Sequence, residues 1–476
     1  MQVLIVGAGP AGLCAADAAR RAGASVRVVD SADSTGGQYW RHLPVQRAAR
    51  AEHMLHHGFE RYQSLHASLD ADPMVSIELG TQVWAIEQRD EGLRVDLVAG
   101  GADGTGRRTE ACLPEALVLA TGAHDRVLPV PGWTLPGVYT AGAAQAMAKG
   151  ERVAIGERVV VSGAGPFLLP VSQAIGLAGS RVVGVYEAAG SRRLARSWLT
   201  RPHELIAGRA KGAELAGYVW HHLRHRIAYR PGWGVVAIHG TDRVEGVTVA
   251  RLDDAWRSVP GTAQHIDCDA VCLGHGFTPR LELPLAAGCR LTARRFVEVD
   301  ARQQTSVAGV YAAGEITGVG GADLAQAEGW LAGWYAAAGC ADHVQTRRPA
   351  RARREATAFA DRIERAHGIR PGWTTWLEDD TLVCRCEDVP LAALASAVSQ
   401  TASVGLRSLK LTTRAGLGAC QGRVCGRNVE SLLGGGTTDR PGFSDGVSTD
   451  RRPIAAPIRL GELADFAGPT NHERKE

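Results

Sequence analysis

Four of the ten cysteines stand in two close pairs near the C-terminus, Cys384-Arg385-Cys386 and Cys420-Gln421-Gly422-Arg423-Val424-Cys425. A stretch of helical pattern separates the pairs, so four thiolates can converge on one point. Tetrahedral sulfur ligation suits zinc or an iron–sulfur cluster, and the spacing alone leaves both open. Gly418, Gly422 and Gly426 leave backbone amides free to approach the sulfurs. The other six cysteines (Cys14, Cys112, Cys268, Cys272, Cys289, Cys340) lie scattered in apolar settings, as reduced core thiols do.

A second chemistry is written in glycine. The apolar run Val3 to Val6 leads into Gly7-Ala8-Gly9-Pro10-Ala11-Gly12 and an alanine-rich helical stretch, and a second apolar run ends in Asp30. Strand, tight turn, helix and a strand with a terminal acid are the context that a dinucleotide fingerprint requires. Gly7 permits the turn, Gly9 lets backbone approach a pyrophosphate, and Gly12 lets helix and strand pack closely. The helix start at Pro10 and Ala11 faces the anion, and Asp30 is placed to hold the adenosine ribose.

The pattern recurs at Gly163-Ala164-Gly165-Pro166-Phe167-Leu168, with a later strand ending at Glu187. Glu187 favours ribose hydroxyls over a 2′-phosphate. The third position, however, is Leu168, whose branched side chain should push helix from strand and crowd a nucleotide. The expectation is a retained fold with altered or lost binding, and NAD is a doubtful ligand. His221, His222 and His225 invite a metal reading, but no acid or third ligand accompanies them, and a solvated basic helix face is expected. His124 and Asp125, adjacent on an extended chain, point to opposite faces and are read as structural.

These motifs need a substantial scaffold. The 476 residues allow several domains with large cores. The sequence pattern gives an α/β flavoprotein with two dinucleotide-binding domains and a small helical C-terminal cysteine domain. The boundaries expected are 1–150 and 285–345 for the first nucleotide domain, with 151–284 inserted as an NAD(P)-like domain. A helical linker (346–374), the cysteine domain (375–435) and a tail (436–476) complete the chain. The net charge of +3 gives no reason to propose nucleic acid as a partner. No apolar run is long enough to span a bilayer, and no secretory signal fits ahead of the strand starting at Gln2, so a cytoplasmic protein is expected.

Three further segments carry a resemblance: Gly36-Gly37-Gln38, the strand and turn Leu117 to Gly122 containing Thr121, and Val310 to Glu315 containing Gly314. With the first glycine loop they resemble the pyridine-nucleotide-disulfide oxidoreductase class of flavoproteins over residues 1 to about 340. The resemblance implies FAD at the first site, with Gly37 and Gln38 near the flavin end, adenine on the backbone at Val83, and Glu315 binding the ribityl chain in place of the usual Asp. No CxxC pair occurs in the first 340 residues, which disfavours a disulfide reductase.

The CxC and CQGxxC pairs resemble the bacterioferritin-associated ferredoxin-like [2Fe-2S] module, which implies Cys384, Cys386, Cys420 and Cys425 as its ligands. Pro131 to Val138, Ala141 to Gln145, Arg452-Pro453-Ile454 and Leu460 to Leu463 extend the likeness along nearly the whole chain. Together these strings are similar to the FAD-containing alpha subunits of opine oxidase, hydrogen cyanide synthase and D-hydroxyproline dehydrogenase complexes. That resemblance implies an electron-transfer role beside an FAD-dependent, amine-oxidase-like beta subunit. Some such complexes add an FMN between subunits and a small ferredoxin-like subunit, and their electron acceptors can lie at the inner membrane. An NADH-dependent ferredoxin reductase is the alternative that Gly163, Gly165 and Glu187 keep open, and a redox-inert scaffold is the third.

Overall fold

The structure is a computed structural model, which describes residues 1–44, 47, 52, 55–101, 103–200, 209–338, 344–401, 406–433 and 454–467. Cys340, Arg452, Pro453 and the end of the tail lie outside the described residues.

Strand Gln2–Val6 has no polar residue after Gln2, because it is the middle strand of a parallel sheet covered on both faces. The sheet runs Val310–Ala312, Ala116–Leu119, Gln2–Val6, Ser25–Val29, Val75–Glu78. Val3 and Ile5 point to helices Pro10–Arg21 and Gly321–Ala338; Leu4 and Val6 point to an antiparallel meander of Thr81–Arg89, Gly92–Ala99 and Arg108–Cys112. Apolar residues on both faces thus join two cores through one strand.

A second parallel sheet is built of Ala228–Pro231, Arg181–Glu187, Arg158–Gly163, Ala270–Gly274 and Val138–Thr140. It carries its own meander, Trp233–His239, Gly246–Arg251 and Gln264–Asp267. A two-stranded ribbon, Ala123–Asp125 against Phe277–Pro279, joins the halves. The inserted sheet therefore takes up chain at Val138, ahead of the boundary expected at residue 151. A three-residue strand followed at once by helix Ala141–Ala146 is too short for a period-2 pattern to show. The tail also differs from an appendage: Ala455 and Ala456 enter the meander's core, and Arg459 donates to the Gly104 carbonyl at 2.7 Å.

After the linker helix Val344–His367, the cysteine region folds as helices Leu391–Thr401, Leu406–Thr413 and Gly426–Leu433 with a small ribbon, Leu382–Cys384 against Val389–Pro390. Its own core holds Val383, Leu394, Leu409 and Val429. No helix among the described residues is long and apolar enough to cross a membrane.

Helix Arg209–His225 reverses the expected face. His221 and His222 are 8% and 6% exposed, with His222 bonded to Ser172 Oγ at 3.0 Å and to the Tyr218 carbonyl at 2.8 Å. Leu215, Val219, Trp220 and Leu223 point outward instead. The helix turns its imidazoles inward because Ser172 on helix Leu168–Leu177 supplies a partner there.

Helices Pro10–Arg21 and Gly321–Ala338 meet backbone to backbone. A Cβ on Gly329 would collide with the Ala11 carbonyl, and one on Gly333 with that of Ala15. This contact fixes the helix whose N-terminus is the first glycine loop. Replacing Gly333 with Val should force the helices apart and cost about 2–4 kcal/mol. A lower melting temperature together with weakened flavin retention checks this.

Candidate functional site: a flavin cradle beside a four-cysteine loop

The first glycine loop is closed by backbone contacts. Gly7 has φ 109°, and its N–H donates to the Val29 carbonyl at 2.8 Å. A Cβ on Gly7 would strike the Ala120 carbonyl, and one on Gly12 the Gly7 carbonyl. Helix Pro10–Arg21 starts directly after Gly9 with Pro10 in its first turn. Asp30 accepts from the Ala8 N–H at 2.6 Å and the Ala32 N–H at 2.8 Å, which holds its carboxylate at the rim. Thr81 N–H donates to the Asp30 carbonyl at 2.9 Å, so the strand bearing Val83 runs beside the acid, with a bulge after Val83.

The other expected segments converge on this loop. Gly36 N–H donates to the Ala8 carbonyl at 2.8 Å. Gly37, at φ 59°, lies so close to Gly9 that a Cβ would sit 2.9 Å from its Cα. Gln38 follows, accepting from Arg41 at 3.2 Å. Gly314, at φ 83°, packs against Ala11, and Thr121 and Gly122 continue from the Ala120 that Gly7 touches. Thr121 Oγ1 donates to the Arg280 carbonyl at 3.1 Å.

Glu315 is placed differently from the ribityl-binding expectation. Its longer side chain reaches the start of helix Gly321–Ala338 and accepts from the Gly321 N–H at 2.8 Å. Burial pushes its carboxyl up to about 7, against the lowering pull of the Gly321 and Gly320 amides. The residue as a whole is half-buried, so that push is an upper bound.

Two buried ions at this end escaped the sequence reading. Glu328 accepts from Gly314 N–H at 2.9 Å and from Thr317 Oγ1 at 2.5 Å, fixing the turn that carries Glu315. Its signal was an acid set within an otherwise apolar helix. Lys149 lies in a π-helical turn, Met147–Glu151, and donates to the Tyr39 carbonyl at 3.2 Å. Burial lowers its ammonium to about 8. A π-turn is not readable from composition.

The second glycine loop departs from the first. Its helix begins only at Leu168, and Leu168 and Leu169 close i→i+3 turns onto Gly165 and Pro166. Leu168 itself is buried between helix and sheet. The amides that face an anion in the first loop are therefore not presented in the same way. Glu187 is fully buried and already engaged by Gly165 N–H and Ala189 N–H, both at 2.9 Å, and by Tyr229 Oη at 3.4 Å. His367, at the end of the linker helix, lies 3.3 Å from it. Arg193 holds that end by donating to the Ala366 carbonyl at 2.9 Å and the Arg365 carbonyl at 2.6 Å.

The four cysteines do come together. Their thiols link pairwise, Cys386 to Cys420 to Cys425 to Cys384. Among the described residues no three ligating groups have closed to metal-binding geometry. The donor set and its cradle nonetheless fit an S4 site. A Cβ on Gly418 would collide with Cys386, and Gly422 has φ 77°. The Cys425 thiol and the amides of Gly416, Glu387 and Cys386 hold Cys384 down to about 6 against its burial. Cys420 falls to about 4, chiefly through Cys425 and then the Val424 and Gly422 amides. Burial raises Cys386, and donating to two thiolates raises Cys425.

This loop docks on the flavin half. His124 Nε2, two residues after Gly122, bonds the Arg423 carbonyl at 3.0 Å, between Cys420 and Cys425. Arg423 pairs with Glu282 at 2.6 Å and donates to the Ala455 carbonyl at 2.9 Å. Asn428 Nδ2 donates to the Val127 carbonyl at 2.8 Å, and Trp133 Nε1 to that of Leu382 at 2.7 Å. Asp125 faces the other way, capping helix Ala141–Ala146 through Thr140 and Gly142 N–H. The structural reading of Asp125 holds; His124 is the hinge between two sites.

Two nucleotide-type loops, the second inserted into the first domain, define the two-dinucleotide class of flavoprotein oxidoreductases. The pyridine nucleotide-disulphide oxidoreductase family model matches residues 1–340. The opine oxidase A chain of Rhizobium meliloti is 33% identical, covering 98% of this chain and 87% of that protein. The HcnB component of hydrogen cyanide synthase from Pseudomonas protegens is 30% identical, covering 89% of each. Among solved structures, L-proline dehydrogenase from P. horikoshii matches 97% of this chain and 79% of its own, with TM-score 0.64 and 20% identity, a likeness of fold. The chain belongs to the pyridine nucleotide-disulphide oxidoreductase family, with the larger opine oxidase components and HcnB among its relatives, and is a flavin-dependent oxidoreductase.

Glu315 gives a pH prediction. Its folded carboxyl binds protons more tightly than the unfolded one, so it costs stability as pH rises from 4.5 to about 7. Glu315→Gln, which can still accept from Gly321, should flatten that loss and raise stability above pH 7 by about 1–3 kcal/mol. Denaturant melts at pH 5 and pH 8 check this.

Proposed function

We propose that this chain is the flavin and [2Fe-2S] electron-transfer subunit of a multi-subunit dehydrogenase acting on an amine or amino acid. The single observation that carries the reading is the His124–Arg423 contact, which seats the four-cysteine loop directly beyond the Thr121-Gly122 turn of the flavin cradle. Two redox groups bound at these places would lie against one another with no solvent layer at that contact.

FAD is expected along Gly7, Gly9, Pro10, Ala11, Gly12 and Asp30, with its flavin end towards Gly37, Gln38, Thr121, Gly122 and Gly314. Cys384, Cys386, Cys420 and Cys425 would hold the cluster, which supplies one-electron transfer beside the two-electron flavin. This chain's residues then have three tasks. The glycine loops admit the pyrophosphate, the amides around Cys384 and Cys420 stabilise thiolates, and His124 with Arg423 and Glu282 fixes the spacing. No acid/base pair for substrate chemistry faces the cradle, which supports leaving amine oxidation to a partner. The opine oxidase relatives are named as one component of several, which supports a complex, and an FAD-dependent, amine-oxidase-like beta subunit is the partner proposed. An FMN at the interface, a cytoplasmic location and a small ferredoxin-like subunit belong to the same proposal. The buried, engaged Glu187 and the late helix start at Leu168 speak against NADH as the electron donor.

Chain purified without oxygen should contain about two iron atoms and about two acid-labile sulfides. Cys420→Ser should lose both while keeping its flavin. One zinc per chain, with no sulfide, would overturn the cluster assignment.

A further inference from the structure

The inserted sheet has a second concavity, at the opposite end from its glycine loop. Arg158 and Arg181 begin adjacent parallel strands and are direct register partners there. Helix Arg209–His225 ends beside them, adding His221, His225 and Arg226, and the turn Gly176 to Ser180 closes the floor. Together these residues line a cavity of about 410 Å³. That is room for a small organic ligand.

Its charge is not balanced. Among the described residues no carboxylate lies within ion-pair distance of Arg181, Arg226 or Arg158; Arg158 donates only to the Asp267 carbonyl, at 3.1 and 3.3 Å. Two helix C-termini point here, each equivalent to about −0.5 charge, which leaves about two of the three guanidinium charges unanswered. Like charges in register repel. Arg226 also sits at φ 54°, the left-handed position after a helix where glycine is the usual choice. The floor offers neutral partners without a mate: Ser180 Oγ and His221 Nε2 are buried and make no hydrogen bond. Ser180 is 6% exposed and His221 8%.

We propose that this cavity binds a phosphorylated small molecule, its phosphoryl group gripped by Arg158, Arg181 and Arg226 and reached from below by Ser180 and His221. Guanidinium forks from three separate elements suit an oxyanion that accepts from several directions. The volume exceeds what a bare phosphate ion fills, so the organic portion lies in the same cavity. The site is remote from the flavin cradle and independent of what the cysteines bind, so it is a place for a regulator.

Ribose 5-phosphate and inorganic phosphate are the probes, titrated into the flavin-loaded full chain at constant ionic strength, with chloride as control. Ribose 5-phosphate should give a saturable rise in melting temperature and a calorimetric isotherm, with inorganic phosphate at least several-fold weaker. Arg181→Gln with Arg226→Gly should weaken ribose 5-phosphate at least tenfold; the glycine relieves the left-handed strain, so the loss cannot be assigned to unfolding. Ser180→Ala should weaken it with flavin content unchanged. A shift equal to that with chloride, one untouched by the arginine changes, or equal affinity for inorganic phosphate would overturn the proposal.

Discussion

Backbone-to-backbone approach is the constraint on which the molecule depends. At Gly7 against Ala120, Gly12 against Gly7, and Gly329 and Gly333 against Ala11 and Ala15, no Cβ can be accommodated. These contacts stack strand, turn and two helices into one unit, with the N-terminus of helix Pro10–Arg21 at its open edge. Each omitted Cβ removes steric bulk where an anion's oxygens must come within hydrogen-bond reach of amides. The same packing sets Gly314 on Ala11 and Gly37 on Gly9, so the flavin cradle is a by-product of how the core closes.

The two nucleotide-type domains show how a repeated fold diverges. In the first, Asp30 stays at the rim and the helix starts at the loop. In the second, the helix starts late, Leu168 fills the core, and Glu187 is sealed by its own amides and by His367. The linker helix uses the second domain as a socket, and that socket orients the cysteine module beyond it. A site whose chemistry has been given to structure can still position a redox centre, which fold-level analogy alone would not reveal.

Much of this was legible in the residues. The first glycine loop with Asp30 lies on a strand and helix whose period is unambiguous, and the close cysteine pairs imply convergence. What was hidden depended on tertiary contact. Glu315 turned to the helix start because one extra methylene reaches Gly321. Strand Val138–Thr140 joined the inserted sheet through three residues. The histidines of helix Arg209–His225 faced inward because Ser172 supplies a partner, against the preference for placing Leu and Trp inside. The role of His124 needed both the flavin half and the cysteine loop in view, 299 residues apart in the chain.

The central claim is that reducing equivalents enter from a partner protein and pass between flavin and cysteine cluster. An anaerobic visible titration of the purified chain, with NADH first and dithionite second, tests it most directly. Flavin and iron–sulfur absorption unchanged by NADH, then bleached together by dithionite, is the predicted result. Rapid bleaching of the flavin band by stoichiometric NADH would contradict the account, since it would require an open nucleotide site at Gly165 and Glu187.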